Sequence, residues 1–153
     1  MQTKNPRTTP IDNDELEREL LAYQASGPDR DSRRASERLG QIILDLHDNI
    51  LRHKNFNRYP QEVKEDMKSG SVERVFRWAL SGWKKEKGFK AFSYLTRCIF
   101  QNYINTAMRY YRRINAKRLW YKAQLEELGA AGSQRAWRAA KEFRTYEEDV
   151  RDD

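Results

Sequence analysis

Residues 91–118 read AFSYLTRCIFQNYINTAMRYYRRINAKR, and this stretch decides the fold. Apolar residues recur in it every three or four positions, the spacing that places side chains on one face of an α-helix. The pattern predicts one long basic helix from about Ala91 to Leu128, where Gly129 and Gly132 interrupt it. The predicted core-facing residues are Phe92, Leu95, Ile99, Tyr103, Ala107, either Tyr110 or Tyr111, and Ile114.

A second face of this helix is polar. It consists of Arg97, Gln101, Asn105, Arg109 and Arg112. These residue types hydrogen-bond base edges and phosphates, whereas a solvated face more often mixes Glu with Lys. Two interpretations stay open: a nucleic-acid-binding face and a solvated basic face. Phe100 and Ile104 lie beside this face, where exposed apolar groups can contact bases or a partner protein.

The charge distribution favours nucleic acid. Between Lys84 and Lys122 the chain has eleven Lys or Arg residues and one acidic residue, Glu86, which gives a formal charge of +10. The whole protein carries +7, so the remaining residues sum to −3. Ten of the eighteen aromatic residues lie between Trp83 and Tyr121. Cations bind a phosphate backbone by releasing counterions, and aromatic rings stack on unpaired bases.

The rest of the chain predicts further helices and no strand, so the fold class is all-α. Asp12 or Asn13 caps a first helix with Leu16, Leu20, Leu21 and Tyr23 on one side, ended by Gly27-Pro28. A second helix runs from about Asp31 to His53 on the pattern Leu39, Ile42, Ile43, Leu46, Ile50 and Leu51. Pro60 starts a third helix, Gln61 to Gly82, with a break at Ser69-Gly70-Ser71 and apolar residues Val72, Val75, Phe76, Ala79 and Leu80 after it. A charged loop, Lys84 to Gly88, follows, and Ser133 caps a last helix.

These elements predict a flexible arm (1–11), a helical domain (12–118) and a helical charged tail (119–153). Charged residues make up 35% of the chain and apolar residues 38%, which predicts a small core. The single cysteine, Cys98, excludes an internal disulfide and suits a reducing compartment. No apolar run is long enough to span a membrane and no signal segment follows Met1, so we expect a soluble intracellular protein without a membrane partner.

Several passages resemble known transcription factors. Trp83 to Tyr94 reads WKKEKGFKAFSY, which resembles the passage that leads into the promoter-melting helix in region 2 of bacterial sigma factors. Asn55 to Gln61, followed by Lys64 and Met67, is similar to a passage in the late-transcription sigma factors of T-even-type bacteriophages. Tyr94-Leu95-Thr96 with Phe100 and Tyr103, and the start Asn13-Asp14-Glu15-Leu16, resemble the same family. The similarity covers about residues 12 to 118.

The resemblance implies a compact sigma region-2-like domain in the host bacterial cytoplasm. It implies docking on the coiled coil of the β′ subunit of the bacterial core RNA polymerase. It also implies recognition of an AT-rich promoter element near −10 and capture of the non-template strand. Late sigma factors of this family end in a hydrophobic-acidic tail that binds the phage sliding clamp, and Phe143, Tyr146 and Val150 faintly resemble it. A sliding clamp or co-activator is therefore a further candidate partner.

The resemblance also implies site residues. Phe92, Tyr94, Thr96, Arg97, Phe100 and Gln101 fall where the family melts and reads the promoter. Together with these and Asn105, the predicted DNA-binding set includes the backbone-anchoring cations Lys84, Lys85, Lys87, Lys90, Arg109, Arg112 and Arg113. The helix bearing Glu62, Glu65, Asp66, Met67 and Glu73 is predicted to meet the polymerase, the alternative being a solvated face. Primary sigma factors place two adjacent tryptophans where Arg97 and Cys98 stand, so the upstream edge of the melted region must be held differently here.

Two other classes of protein compete with a sigma factor. An enzyme is disfavoured because His47 and His53 do not share a close helical face, Cys98 has no histidine nearby in sequence, and the acids are scattered. We therefore expect no catalytic residue, metal or cofactor. The other class is a non-specific helical DNA- or RNA-binding protein that does not associate with polymerase.

Overall fold

The computed structural model describes residues 8–127, Arg138 and Lys141, and the fold of this part of the chain is all-α, as predicted. Its elements are α1 (Asn13–Ala25), α2 (Glu37–Leu51), α3 (Gln61–Arg74), a π-helical segment (Val75–Ala79), α4 (Leu80–Gly82), a 3-10 turn (Lys85–Lys87) and α5 (Ala91–Glu127). None of the described helices has the length and apolar character that a membrane crossing requires. Most of the predicted arm, the interruption at Gly129 and Gly132, the last helix from Ser133 and the clamp-like residues Phe143, Tyr146 and Val150 lie outside the described residues.

Helix α1 begins as the sequence predicts. The Asp12 carboxylate accepts a hydrogen bond from the Asp14 amide at 2.9 Å and so caps the helix. Leu16 and Leu20 are fully buried, but Leu21 is 38% exposed, so its predicted place on the apolar side is wrong. Successive residues of an α-helix are turned by about 100° around its axis. Because Leu20 faces the core, Leu21 is turned away from it.

Helix α2 begins at Glu37, later than the predicted Asp31, and Ser36 caps it by accepting from the Leu39 amide at 3.0 Å. The residues before it form a turn in which the Ser32 amide donates to the Asp29 carboxylate at 2.9 Å. Such local side-chain bonds compete with helix formation, which explains the late start.

The predicted break at Ser69-Gly70-Ser71 is wrong, because α3 continues through it to Arg74. The irregular part is the π-helical segment Val75–Ala79. The spacing of the apolar residues does not predict an irregularity there. The helix then ends near Trp83, where the Gln24 amide donates to the carbonyl groups of Leu80 and Trp83 at 2.8 Å each. Carbonyl groups at a helix end need such partners, so α1 stabilises this end directly.

The start of α5 is also held by α1. The Glu17 carboxylate accepts from the Ala91 amide at 3.2 Å and the Asn13 side chain accepts from the Phe92 amide at 3.0 Å. With the helix fixed in this orientation, Ala91 is buried and Phe92 is 38% exposed, so the predicted core position of Phe92 is wrong. The buried residues recur every four positions: Ala91, Leu95, Ile99, Tyr103 and Ala107.

A buried polar network joins α2, α3 and α5. His47 is fully buried, and its Nδ1–H donates to the Ile43 carbonyl at 2.7 Å while Nε2 accepts from the Ser71 hydroxyl at 3.0 Å. The Asn102 amide donates to Ser71 at 3.1 Å, and the Tyr103 hydroxyl donates to the His47 carbonyl at 3.1 Å. Burial lowers the pKa of His47 and favours its neutral form. The network therefore ties α5 to α2 and α3 through buried and partly buried hydrogen bonds.

Candidate nucleic-acid interface

Eight of the predicted DNA-binding residues are cations, and all eight are exposed: Lys84, Lys85, Lys87, Lys90, Arg97, Arg109, Arg112 and Arg113. None of them forms an ion pair with another described residue. Ion pairs elsewhere in this part of the chain involve Arg30, Arg38, Lys68 and Arg77. From Ala91 to Arg113 the helix spans about 33 Å at its usual rise. The result is an extended surface with uncompensated positive charge.

The loop before α5 is pinned so that its lysines project outwards. The buried Trp83 donates from Nε1 to the Phe89 carbonyl at 3.0 Å. Gly88 adopts φ +75°, a left-handed conformation that reverses the chain after the 3-10 turn. The Phe89 side chain is 67% exposed beside the lysines. The loop thus offers positive charge and an aromatic ring on one surface.

The polar face of α5 is exposed, as predicted. The Gln101 side chain donates to the side-chain oxygen of Asn105 at 3.1 Å, and Arg109 donates to the Thr106 hydroxyl at 3.3 Å. These bonds join neighbours on the helix surface and leave further donors and acceptors open to solvent. The two amides and the Arg109 guanidinium can therefore turn to a ligand without disturbing the core.

Three other predicted site residues are half-buried. The Tyr94 hydroxyl lies over Gly82, where a Cβ atom would come within 2.6 Å of it, and burial raises the pKa of this phenol. The Thr96 hydroxyl is buried and has no hydrogen-bond partner among the described residues. Phe100 packs edge-on against Phe56, with ring centroids 4.7 Å apart, and against His53. The prediction that Phe100 is an exposed group is therefore wrong, since it belongs to an aromatic cluster.

Of the predicted polymerase-binding residues, four are exposed and one is buried. Glu62, Glu65, Asp66 and Glu73 are exposed on α3, and Glu73 is paired with Arg77 at 3.4 Å. Met67 has no exposed surface. It continues the buried face formed by Val63 and Ser71, four residues before and after it, so its predicted contact with a partner is wrong.

One groove brings the two predicted sets together. A cavity of about 260 Å³ between α3 and α5 is lined by Asp66, Ser69, Thr106, Arg109 and Arg113, among others. Arg109 and Arg113 therefore border the acidic helix, whereas the loop lysines lie at the opposite end of the basic surface. The cationic residues form an extended track and not a compact cluster.

Trp78 is the main surface feature that the sequence did not assign. It is 60% exposed, and the guanidinium carbon of Arg30 lies 4.1 Å from the centre of its ring. Together with Arg74 it borders a cavity of about 630 Å³ that also contacts Tyr94, Arg97 and Gln101. The signal was present, because Trp78 is a large aromatic residue that falls outside the apolar pattern of its helix.

The loop between α2 and α3 carries a second unassigned feature. Lys54, Arg58, Tyr59 and Tyr111 line a cavity of about 250 Å³. Burial and the neighbouring Tyr111 raise the pKa of Tyr59 to about 12, so the Tyr59 phenol is neutral at physiological pH. This surface includes Tyr111 of α5 and adds Lys54 and Arg58, two cations outside the predicted DNA-binding set.

Across the described ranges, no three His, Cys, Asp or Glu residues come together as a possible metal site. The sequence matches no protein-family model, and no curated protein is significantly similar to it.

Proposed function

We propose that this protein is a phage sigma factor for late genes, which binds the host core RNA polymerase and opens a short AT-rich promoter element of the −10 type. The observation that carries the proposal is the track of eight exposed cations without acidic partners along the loop and α5, with amides and aromatic rings beside it. Such cations bind a phosphate backbone, and such rings stack on unpaired bases.

Promoter opening fits the energies available. Separating DNA costs about 1–2 kcal/mol per base-pair step, and AT-rich flexible steps lower the cost. Each unpaired base that stacks on an aromatic side chain recovers roughly 1–3 kcal/mol. Phe89 and Phe92 are exposed rings next to the cations, while Gln101 and Asn105 supply donors and acceptors for base edges. A few captured bases therefore offset the opening of a few steps.

The acidic surface of α3 supports a protein partner. Glu62, Glu65 and Asp66 are exposed on α3, and Glu62 and Glu65 are outside the groove that Asp66 shares with Arg109 and Arg113. A small domain that binds DNA weakly by itself needs such a second surface to be held on a polymerase. The β′ coiled coil and the host cytoplasm are the partner and compartment that the family resemblance implies.

Two binding experiments test the proposal. The purified protein should co-purify with bacterial core polymerase, and the complex should bind a promoter with a pre-opened bubble more tightly than the paired promoter. A protein that ignores polymerase and binds every DNA equally would instead be a non-specific helical nucleic-acid-binding protein.

A further inference from the structure

The buried face of α5 continues into the last part of the helix. From Tyr111 to Glu127 its residues are exposed except for a half-buried set: Ile114, Tyr121, Gln124 and Leu125. At about 100° per residue, these four lie on the same side of the helix as the buried Tyr103 and Ala107. The groove with α3 reaches Arg113 along α5, and Leu125 lies about 18 Å further at the usual helical rise. A half-buried face that extends so far needs a further segment to pack against it.

The same part of α5 is strongly basic. Between Arg109 and Leu125 the sequence has no acid and six cations, all of them exposed: Arg109, Arg112, Arg113, Lys117, Arg118 and Lys122. Like charges repel, so this surface disfavours the same surface of a second copy of the chain. The charge favours an acidic, amphipathic segment as the occupant.

Such a segment follows α5 in the sequence. After Gly129 and Gly132, apolar residues recur at spacings of four, three and seven, which places them on one face of a helix: Ala136, Ala140, Phe143 and Val150. Arg138 and Lys141 are helical and exposed, and they fall on the opposite face of this pattern. Residues 147–153 hold five acids and one arginine, a formal charge of −4.

A short connection between two helices determines which of their residues meet. Helices joined by a few residues pack as antiparallel neighbours. With a turn at residues 129–132, positions equally far from the middle of the turn lie side by side. Leu125 then faces Ala136, and residues 112–114 face residues 147–149. The acids of the second range thereby meet two cations of the predicted DNA-binding set, Arg112 and Arg113.

We propose that residues 133–153 pack against the half-buried face of α5 and that their acids occupy Arg112 and Arg113 in the free protein, in competition with DNA phosphate. This competition rests on the proposed function, because it regulates the same basic surface. Attachment to α5 gives the segment a high effective concentration, so a few weak ion pairs are sufficient. Phosphate contacts carry no sequence information, so the contact lowers the affinity of the free protein for DNA of any sequence.

A disulfide tests the contact. In the full chain with Cys98→Ser, Ile114→Cys is combined with Glu147→Cys, a pair that the antiparallel register places face to face. Oxidation by diamide should join the two thiols within one chain, at a rate that does not depend on protein concentration. The control combines Ile114→Cys with Ser133→Cys, which this register places about 20 Å away along the helix, and should not form a bridge. No bridge in the first pair, or bridges between chains alone, would overturn the inference.

Variants without the acids test the competition. The first triple variant removes the acidic cluster by Glu147→Gln, Glu148→Gln and Asp149→Asn. It should bind a labelled DNA duplex in low salt roughly 3- to 150-fold more tightly than wild type, the range expected for three surface ion pairs. The second triple variant has the same net charge but removes three exposed acids elsewhere, by Asp31→Asn, Glu37→Gln and Glu65→Gln. Equal affinities of the two variants would show an effect of net charge alone and overturn the inference.

The two proposals fail separately. If the wild-type protein directs initiation by core polymerase but the disulfide does not form, the inference is wrong and the proposed function stands. If the wild-type protein does not direct initiation, the proposed function fails, while the disulfide and the DNA affinities still decide the inference. If the first triple variant loses core polymerase and binds DNA as its control does, the acids serve a protein partner and the inference is wrong.

Discussion

Replacing Arg109 and Arg112 with alanine should reduce the salt dependence of DNA binding by an amount that the structure specifies. Both side chains are exposed and neither has an acidic partner among the described residues, so each is available to a phosphate. Each phosphate contact with a single strand contributes about −0.7 to the slope of log K against log salt. If all eight cations of the track contact phosphate, the wild-type slope is about −5.6, and the double variant should reduce its magnitude by about 1.4.

The assay is fluorescence anisotropy of a labelled AT-rich single strand titrated with protein over a series of KCl concentrations. Arg38→Ala is the matched control, because Arg38 lies outside the cationic track and is paired with Glu15 at 2.6 Å, so its loss should leave the slope unchanged. Thermal melting should show that each variant is folded, as the replaced side chains are exposed. A double variant with the wild-type slope, or an equal effect of Arg38→Ala, would refute the reasoning.

Three predictions concern the stability of the fold. Because burial lowers the pKa of His47, the unfolded chain takes up its proton first, and unfolding by denaturant should cost less free energy as pH falls below about 6.5. The free energy of unfolding should change by no more than about 1.4 kcal/mol per pH unit from this cause, and this change should be lost in His47→Gln. The same pH dependence in wild type and His47→Gln would contradict the prediction. Met67→Ala should lower the free energy of unfolding by roughly 2–5 kcal/mol and the exposed Asp66→Ala by less than about 0.5 kcal/mol, so equal losses would place Met67 at the surface. Gly88→Ala should destabilise by about 1 kcal/mol in the same assay because of its positive φ, and no change would argue against the left-handed turn.

The long helix and its polar face were predictable because they depend on local periodicity. Leu95, Ile99 and Tyr103 are buried at helical spacing, and Arg97 and Gln101 are exposed where the pattern places them. Repeated spacing of this kind requires no knowledge of the neighbouring helices. The start of α5 at Ala91 and the cap of α1 follow from the same local rules.

The errors arise where a distant residue decides the local structure. The hydrogen bonds that the Glu17 and Asn13 side chains accept hold the start of α5 with Ala91 inwards, which apolar spacing cannot reveal. Ser71 looks like part of a helix break, but its bonds with His47 and Asn102 hold it inside a continuous helix.

The same limit applies to the candidate site. The resemblance predicts a partner contact for Met67, while packing places it in the core. Trp78 becomes visible as part of a cavity only when α5 and the π-helical segment are seen side by side. The track of cations was predictable because it lies on one continuous segment of the chain. The cavity beside Trp78 was not, because two separate segments form it.

Run-off transcription tests the central claim most directly. Purified bacterial core polymerase is incubated with a late-type template bearing a TATA-like −10 element, with and without this protein. We expect a transcript of one defined length that requires the protein and disappears when the element is replaced by GC-rich sequence. The same background transcription with and without the protein would contradict the account.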